Sequence, residues 1–317
     1  MLTPKDCFSF NVATLLSESQ IEWSDKNKTL AASLIPVNPN NLEGDITLKV
    51  WPEMDLPQRM SDECEFEIKE EFFDYSSDEN HFDWYLNFAD YDLFGFYNSN
   101  LMAQDELQVF EHPILASLRK KLLSLDFYPE TVDDNMRPTP VTVTGAYRIC
   151  SVDTQPDERG ESIYGNAFSQ ASEAVIRERV TPIIPPTKSN ILAIASLPGR
   201  KGFYTKKQIE DILITAFSGF RAAALDNDES QKVRLNSGFW GCGAFAGNRT
   251  LMTVIQLVAA SLAGVDLRYW TGDSSGAEVA KKAHEVFRDI LKKSDDTQDT
   301  INTLVAMKFD WGVSDGN

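Results

Sequence analysis

At 317 residues, 42% hydrophobic and 25% charged, the chain has the balance of a globular protein with room for one large domain and an accessory part. A net charge of -18 excludes nonspecific nucleic-acid binding, which depends on Lys and Arg neutralising phosphates, so an anionic ligand has to be held locally by main-chain N–H groups. The apolar run 251–264 is too short to span a bilayer, and Thr253, Gln256 and Ser261 interrupt it.

The N-terminal 17 residues do not have the basic-then-apolar makeup of a Sec signal peptide, so the mature chain is expected to start at Met1. Cys7, Cys64, Cys150 and Cys242 are scattered, with no CxxC pair, which fits a reducing, cytoplasmic setting. His81, His112 and His284 are the only histidines, too few and too dispersed to suggest a zinc site or a Ser/His/Asp triad. Metal-free acid/base chemistry by carboxylates, without a cofactor, is the expectation.

In chain order, residues 14–24 read as a short helix, 36–44 as a turn-rich stretch and 46–51 as an alternating strand, and together residues 1–75 read as an accessory region. Within 61–80 the acids Glu63, Glu65, Glu67, Glu70, Glu71 and Asp74 mix with Phe66, Phe72 and Phe73. This reads as a solvated face, with a dock for a basic partner as the alternative. From about residue 83 short apolar strands alternate with amphipathic helices, the pattern of an α/β layer fold over 76–295. Strands are expected at 84–89, 141–144 (ending at the turn residue Gly145), 190–196, 233–237 and 265–270. Helices are expected at 113–124, 167–180, 205–223, 251–263 and 277–293. Pro182, Pro185 and Pro186 suggest a loop before 190, and Thr205 with Gln208 forms a capping box. Residues 296–317 read as a C-terminal extension, polar apart from the stretch that ends at Trp311.

Between the strand at 233–237 and the helix at 251–263 lies Gly238-Phe239-Trp240-Gly241-Cys242-Gly243-Ala244-Phe245-Ala246-Gly247. Closely spaced glycines before a helix let the backbone approach a ligand and aim N–H groups at it. By residue type alone the stretch serves either tight packing or phosphate binding, and it fits neither a Walker motif nor a dinucleotide fingerprint.

The run Trp240-Gly241-Cys242-Gly243-Ala244-Phe245, then Gly247 and an apolar helix with Gln256, resembles the diphosphate loop of poly(ADP-ribose) glycohydrolases. The following Val265-Asp266-Leu267-Arg268-Tyr269-Trp270-Thr271-Gly272-Asp273 resembles that family's next strand and its Gly-Asp end. The resemblance implies a macrodomain-like mixed sheet flanked by helices, with Trp240, Gly241, Cys242, Gly243, Ala244, Phe245 and Gly247 binding substrate.

The family's Phe-Ala-Asn strand end, triple glycine and Gln-Glu-Glu align with Leu86-Asn87-Phe88-Ala89-Asp90, then Gln104-Asp105-Glu106. Glu106 is thereby implied as the catalytic residue and Asp105 as its companion acid, while Asn87, Asp90 and Gln104 are implied in substrate binding. Taken alone, a Glu in a first helical turn reads as a complement to the helix dipole. Tyr147 reads either as an adenine-stacking residue or as core.

Two departures stand out: Leu93-Phe94-Gly95-Phe96 replaces the triple glycine, and Phe239 replaces the family's Asn. Bulk beside the scissile bond favours release of a single ADP-ribose from a modified protein over cleavage of poly chains. Likeness to divergent bacterial effectors adds arginine-linked ADP-ribose, including on ubiquitin, as a candidate substrate. The alternative reading is a module that binds ADP-ribose without cutting it.

Overall fold

The computed structural model describes residues 2–38, 41–60, 64–227 and 231–316. Glu63 of the acidic stretch and Pro39 of the turn-rich stretch lie outside the described residues. Eight strands form one mixed sheet. They are β1 (Asp6–Asn11), β2 (Asp45–Val50), β3 (Phe66–Lys69), β4 (His81–Ala89), β5 (Val141–Val152), β6 (Val180–Ala195), β7 (Lys232–Ser237) and β8 (Asp266–Trp270). Their order is β1-β2-β5-β6-β4-β7-β8-β3. The β1–β2, β2–β5 and β5–β6 pairs are antiparallel, and β6–β4, β4–β7, β7–β8 and β8–β3 are parallel.

Period-two alternation decides which side chain enters which core. Trp84 and Leu86 of β4, with Leu192 and Ile194 of β6, join one apolar cluster with helices α6 (Lys206–Leu225), α7 (Arg249–Ala263), α8 (Ser274–Leu291) and α9 (Thr297–Ala306). Tyr85 and Ala89, with Ile191 and Ala193, face a second cluster containing α1 (Val12–Glu18) and α4 (Ile114–Ser124). With helices on both faces, central strands lose the polar alternation of a half-solvated sheet. None of the helices among the described residues is long and apolar enough to cross a membrane.

Several expectations change. The helix read over 14–24 is α1 alone, because Asp25 Oδ1 accepts from the N–H groups of Asn27 and Lys28 and starts α2 (Lys26–Ser33) afresh. Gly145 does not end its strand. With φ of +80° it forms a bulge inside β5, where a Cβ would lie 2.5 Å from the Asp45 carbonyl. The helix read over 167–180 is broken into a 3-10 turn, Gly165–Gln170, and α5 (Glu173–Arg179), capped by Ser172. Pro182, Pro185 and Pro186 belong to β6 instead of a loop. There β6 pairs with β5 alone, since β4 meets it only from Ile191, so a missing N–H is tolerated on the free side. The acidic stretch supplies the edge strand β3 beside β8, and the polar tail contains α9, which buries Ile301 and Leu304. Residues 1–75 supply β1, β2 and β3 to the common sheet, and Met54 and Met60 to its core.

Candidate active site

Parallel strands β6, β4 and β7 end at Ala195, Ala89 and Ser237, and a crevice opens beyond their carboxyl ends, where α/β sheets characteristically take ligands. The cleft is open to solvent and, with its mouth included, spans about 850 Å³. One wall is the glycine-rich connection from β7 to α7. The other is the first turn of α3 (Gln104–Glu111), with Asp90 and Phe96 between.

The glycine-rich connection is held in shape by its own main chain. Trp240 is buried and its Nε1 donates to the Ile194 carbonyl at 3.0 Å, fastening the loop to β6. Gly241 has φ of +72°, and a Cβ there would lie 2.3 Å from Ser196 Oγ, so this position demands glycine on two counts. The Gly247 N–H donates to the Gly241 carbonyl at 2.8 Å, which closes the loop, and a Cβ on Gly247 would meet that carbonyl at 2.6 Å. Gln256, from within α7, donates to the Gly238 carbonyl at 3.0 Å. Gly241, Gly243, Ala244 and Phe245 face the cleft, and Asn248 then caps α7 by accepting from the Leu251 N–H. The Cys242 thiol is pushed up to about 12 by burial, so it stays protonated and is no nucleophile at neutral pH.

Across the cleft, Glu106 accepts from the Ala103 N–H at 3.1 Å, supplying from within the helix the cap that Ala103 cannot. The Gln104 amide spans two main-chain groups of β4, accepting from the Phe88 N–H at 2.7 Å and donating to the Leu86 carbonyl at 3.0 Å. The last β4–β7 partner pair is Tyr85–Asn236, so this amide continues the pairing with a side chain. Gln104 is therefore a brace that fixes α3 against β4, and its amide is already engaged by the protein. Asn87 is wholly buried and donates to Asp105 Oδ1 at 3.0 Å, which places it behind the acid pair, away from the cleft surface.

Burial raises the pKa of Asp105, and the charge of Glu106 raises it further, against the Asn87 hydrogen bond. Glu106 is also raised, first by burial, with Asp90 adding and the Ala103 N–H and Lys28 opposing. Two adjacent buried carboxyls titrate as a unit and retain a proton at higher pH than isolated acids do. Lys28 was not legible as a site residue. It comes from α2, is fully buried, and donates to the Tyr97 carbonyl at 2.8 Å. Desolvation lowers its pKa to about 8, while Glu106, Asp25 and Asp105 pull it upward.

Asp90 lines the cleft and its Oδ1 accepts from the Asp92 N–H. Of the bulky residues at 93–96, Leu93 and Phe94 are core and only Phe96, half exposed, reaches the cleft. Tyr147 lies elsewhere. Its hydroxyl donates to the Glu43 carbonyl and its ring lines a separate apolar pocket, so the adenine-stacking alternative does not hold.

Fold and cleft together define an α/β protein in which a glycine-rich connection and a buried acid pair line one cleft. Residues 141–278 match the family described as poly (ADP-ribose) glycohydrolase (PARG), Macro domain fold. A stretch of 69 residues is 41% identical to poly(ADP-ribose) glycohydrolase 2 of Caenorhabditis elegans, covering 22% of this chain and 13% of that protein. Among solved structures, the poly(ADP-ribose) glycohydrolase of Thermomonospora curvata is similar at 14% identity and a TM-score of 0.45, over 90% of this chain and 85% of that one. That of Deinococcus radiodurans in complex with ADP-ribose is similar at 11% identity and a TM-score of 0.45, over 91% and 96%. The resemblance to the PARG-like macrodomain family accordingly holds over the half of the sheet that carries the glycine-rich connection, and Asp105 and Glu106 precede the matched residues.

Proposed function

We propose that this protein is an ADP-ribosyl hydrolase that releases ADP-ribose from a modified protein, with Glu106 as the acid that protonates the departing atom. The observation that carries this reading is the placement of the buried Asp105–Glu106 pair and the Gly241–Phe245 connection on facing walls of one cleft. Main-chain N–H groups of the connection hold the diphosphate, which needs no net positive charge. Cleavage at the anomeric carbon passes through an oxocarbenium-like state. As the bond to the carrier breaks, a proton moves from Glu106 to the leaving atom, and the water that adds to the carbon returns a proton to the pair. Asp105 keeps a proton available by its proximity, Asp90 faces the distal ribose, and Phe245 packs against the ribose and diphosphate.

Phe96 on the cleft wall narrows the space beside the scissile bond, which favours a single ADP-ribose on a protein over internal positions of a chain. Arginine-linked ADP-ribose, including on ubiquitin, is the first linkage to test. The experiment is release of free ADP-ribose from arginine-, serine- and glutamate-linked substrates and from the polymer, by wild type and by Glu106→Gln. Release from a mono-linked substrate by wild type alone supports the reading. Binding of ADP-ribose with no release from any substrate makes the protein a reader, and full activity in Glu106→Gln removes that residue from the chemistry.

A further inference from the structure

At the amino end of the same sheet, three residues far apart in sequence converge. His81 opens β4, Asp266 opens β8, and Glu65 immediately precedes β3. One ligand atom from each lies within 4.8 Å of the other two, the spread a single ion can bridge. The backbone fixes this convergence, because the Glu65 N–H donates to Asp266 Oδ1 at 2.9 Å and the Leu267 N–H donates to the Glu65 carbonyl at 2.9 Å.

Two features distinguish this cluster from a chance meeting of acids. Asp266 is almost fully buried, and its Oδ1 takes the Lys232 ammonium at 2.7 Å while its Oδ2 has no hydrogen-bond partner among the described residues. A buried carboxylate oxygen left unpaired is costly, and this one points at His81 Nε2, 3.5 Å away. The other ring nitrogen, Nδ1, lies 2.9 Å from Asp78 Oδ1 and 3.1 Å from Arg234 Nη1. In the tautomer that donates from Nδ1 to the Asp78 carboxylate, whose other oxygen takes Arg234 Nη1 at 2.7 Å, the Nε2 lone pair faces Asp266 Oδ2. This is the carboxylate–histidine arrangement that orients a metal-binding imidazole.

We propose that His81 Nε2, Asp266 Oδ2 and the Glu65 carboxylate form a binding site for a divalent cation of the zinc class. One imidazole nitrogen with two carboxylate oxygens suits a borderline ion, whereas magnesium and calcium prefer oxygen alone. Water completes the coordination on the exposed Glu65 side. The site clamps β4, β8 and the entry to β3 together. It lies roughly 26 Å from the cleft, eight strand residues at about 3.3 Å each, and so takes no part in the proposed hydrolysis.

The test uses the full chain, stripped with chelator, with Cys7 replaced by Ser so that this exposed thiol does not capture metal. Titration with Zn²⁺ by calorimetry is expected to give one site per chain. His81→Gln should lower the affinity at least a hundredfold, and Glu65→Gln, at an exposed position that leaves the fold intact, about tenfold. Imidazole ¹⁵N shifts should show Nδ1 protonated and Nε2 bound when zinc is present. Co²⁺ should give d–d bands without sulfur-to-metal charge transfer. The proposal is overturned if no ion binds at micromolar concentration, if Glu65→Gln and His81→Gln bind as wild type does, or if both ring nitrogens stay protonated with zinc present, His81 then simply bridging Asp78 and Asp266 as a cation. Because release of ADP-ribose is not the readout, this result and the hydrolase result stand or fall separately.

Discussion

The two ends of the sheet treat charge in opposite ways. At the amino end, Arg234 forms two hydrogen bonds to Asp83, both 2.8 Å, and one to Asp78 at 2.7 Å, and Asn236 adds a third donor to Asp83. Arg268 pairs with Glu67, and Lys232 with Asp266. Charges there are matched by partners on neighbouring strands. At the carboxyl end, Asp105 and Glu106 stand side by side and buried, with Lys28 beneath them and its ammonium on a carbonyl. Matched charges hold strands in register, while like charges forced together keep a proton ready for use. One mixed sheet thus has an end where charges are paired and an end where two like charges lie buried together.

That contrast can be broken from either side. The largest effect expected is on rate: Glu106→Gln should lower ADP-ribose release by about 10² to 10⁴-fold, the usual worth of a general acid, with little change in ADP-ribose affinity by calorimetry. At the amino end, Arg234→Met leaves Asp83 buried without its cation and should cost about 3–5 kcal/mol in urea unfolding, with release of ADP-ribose by the surviving folded protein unchanged. Gly241→Ala forces a left-handed backbone and a clash with Ser196 on the glycine-rich connection. Strain of about 1–2 kcal/mol is expected, read as a lower melting temperature, with ADP-ribose affinity falling at least tenfold. Wild-type affinity in that variant would remove the connection from the site.

Asp105→Asn sharpens the comparison most finely. Asp105, raised by burial and by the charge of Glu106, is the member of the pair that holds its proton to higher pH, so its removal should move the alkaline limb of the pH–rate profile to lower pH. Stability moves the other way. A carboxyl whose folded pKa is raised contributes stability below its unfolded value that is lost as pH climbs through the folded value. The wild type therefore weakens from mildly acidic pH upward through the titration of the pair, while Asp105→Asn keeps only the smaller loss due to the buried Glu106, so the variant should melt higher than wild type at pH 8. A pH profile unmoved by the substitution would show that the two acids do not interact.

Much of this was legible in the sequence where local chemistry decides structure. Thr205 with Gln208 announced α6, the apolar face of 251–263 announced α7, and the glycines of 238–247 marked a connection that only glycine can make at Gly241. Where Pro182, Pro185 and Pro186 were read as a loop, the deciding fact was that β6 lacks a partner on one side there, which is a property of sheet order. Gln104 was read as touching substrate because of its place beside Glu106. Gln104 does line the cleft, while its amide completes the pairing of β4 beyond the point where β7 departs.

The sequence by itself determined the α/β alternation and the glycine-rich connection, because periodicity and glycine conformation act over a few residues. The tertiary structure decided the rest. It brought Lys28 beneath Glu106, drew β1, β2 and β3 of the first 75 residues into the sheet, and set His81, Asp266 and Glu65 around one point, although three dispersed histidines gave no hint of a metal ligand. These contacts span up to about two hundred residues of chain. Which strands lie side by side is settled by burying apolar faces on both sides of one sheet, a global requirement that no short window of sequence expresses.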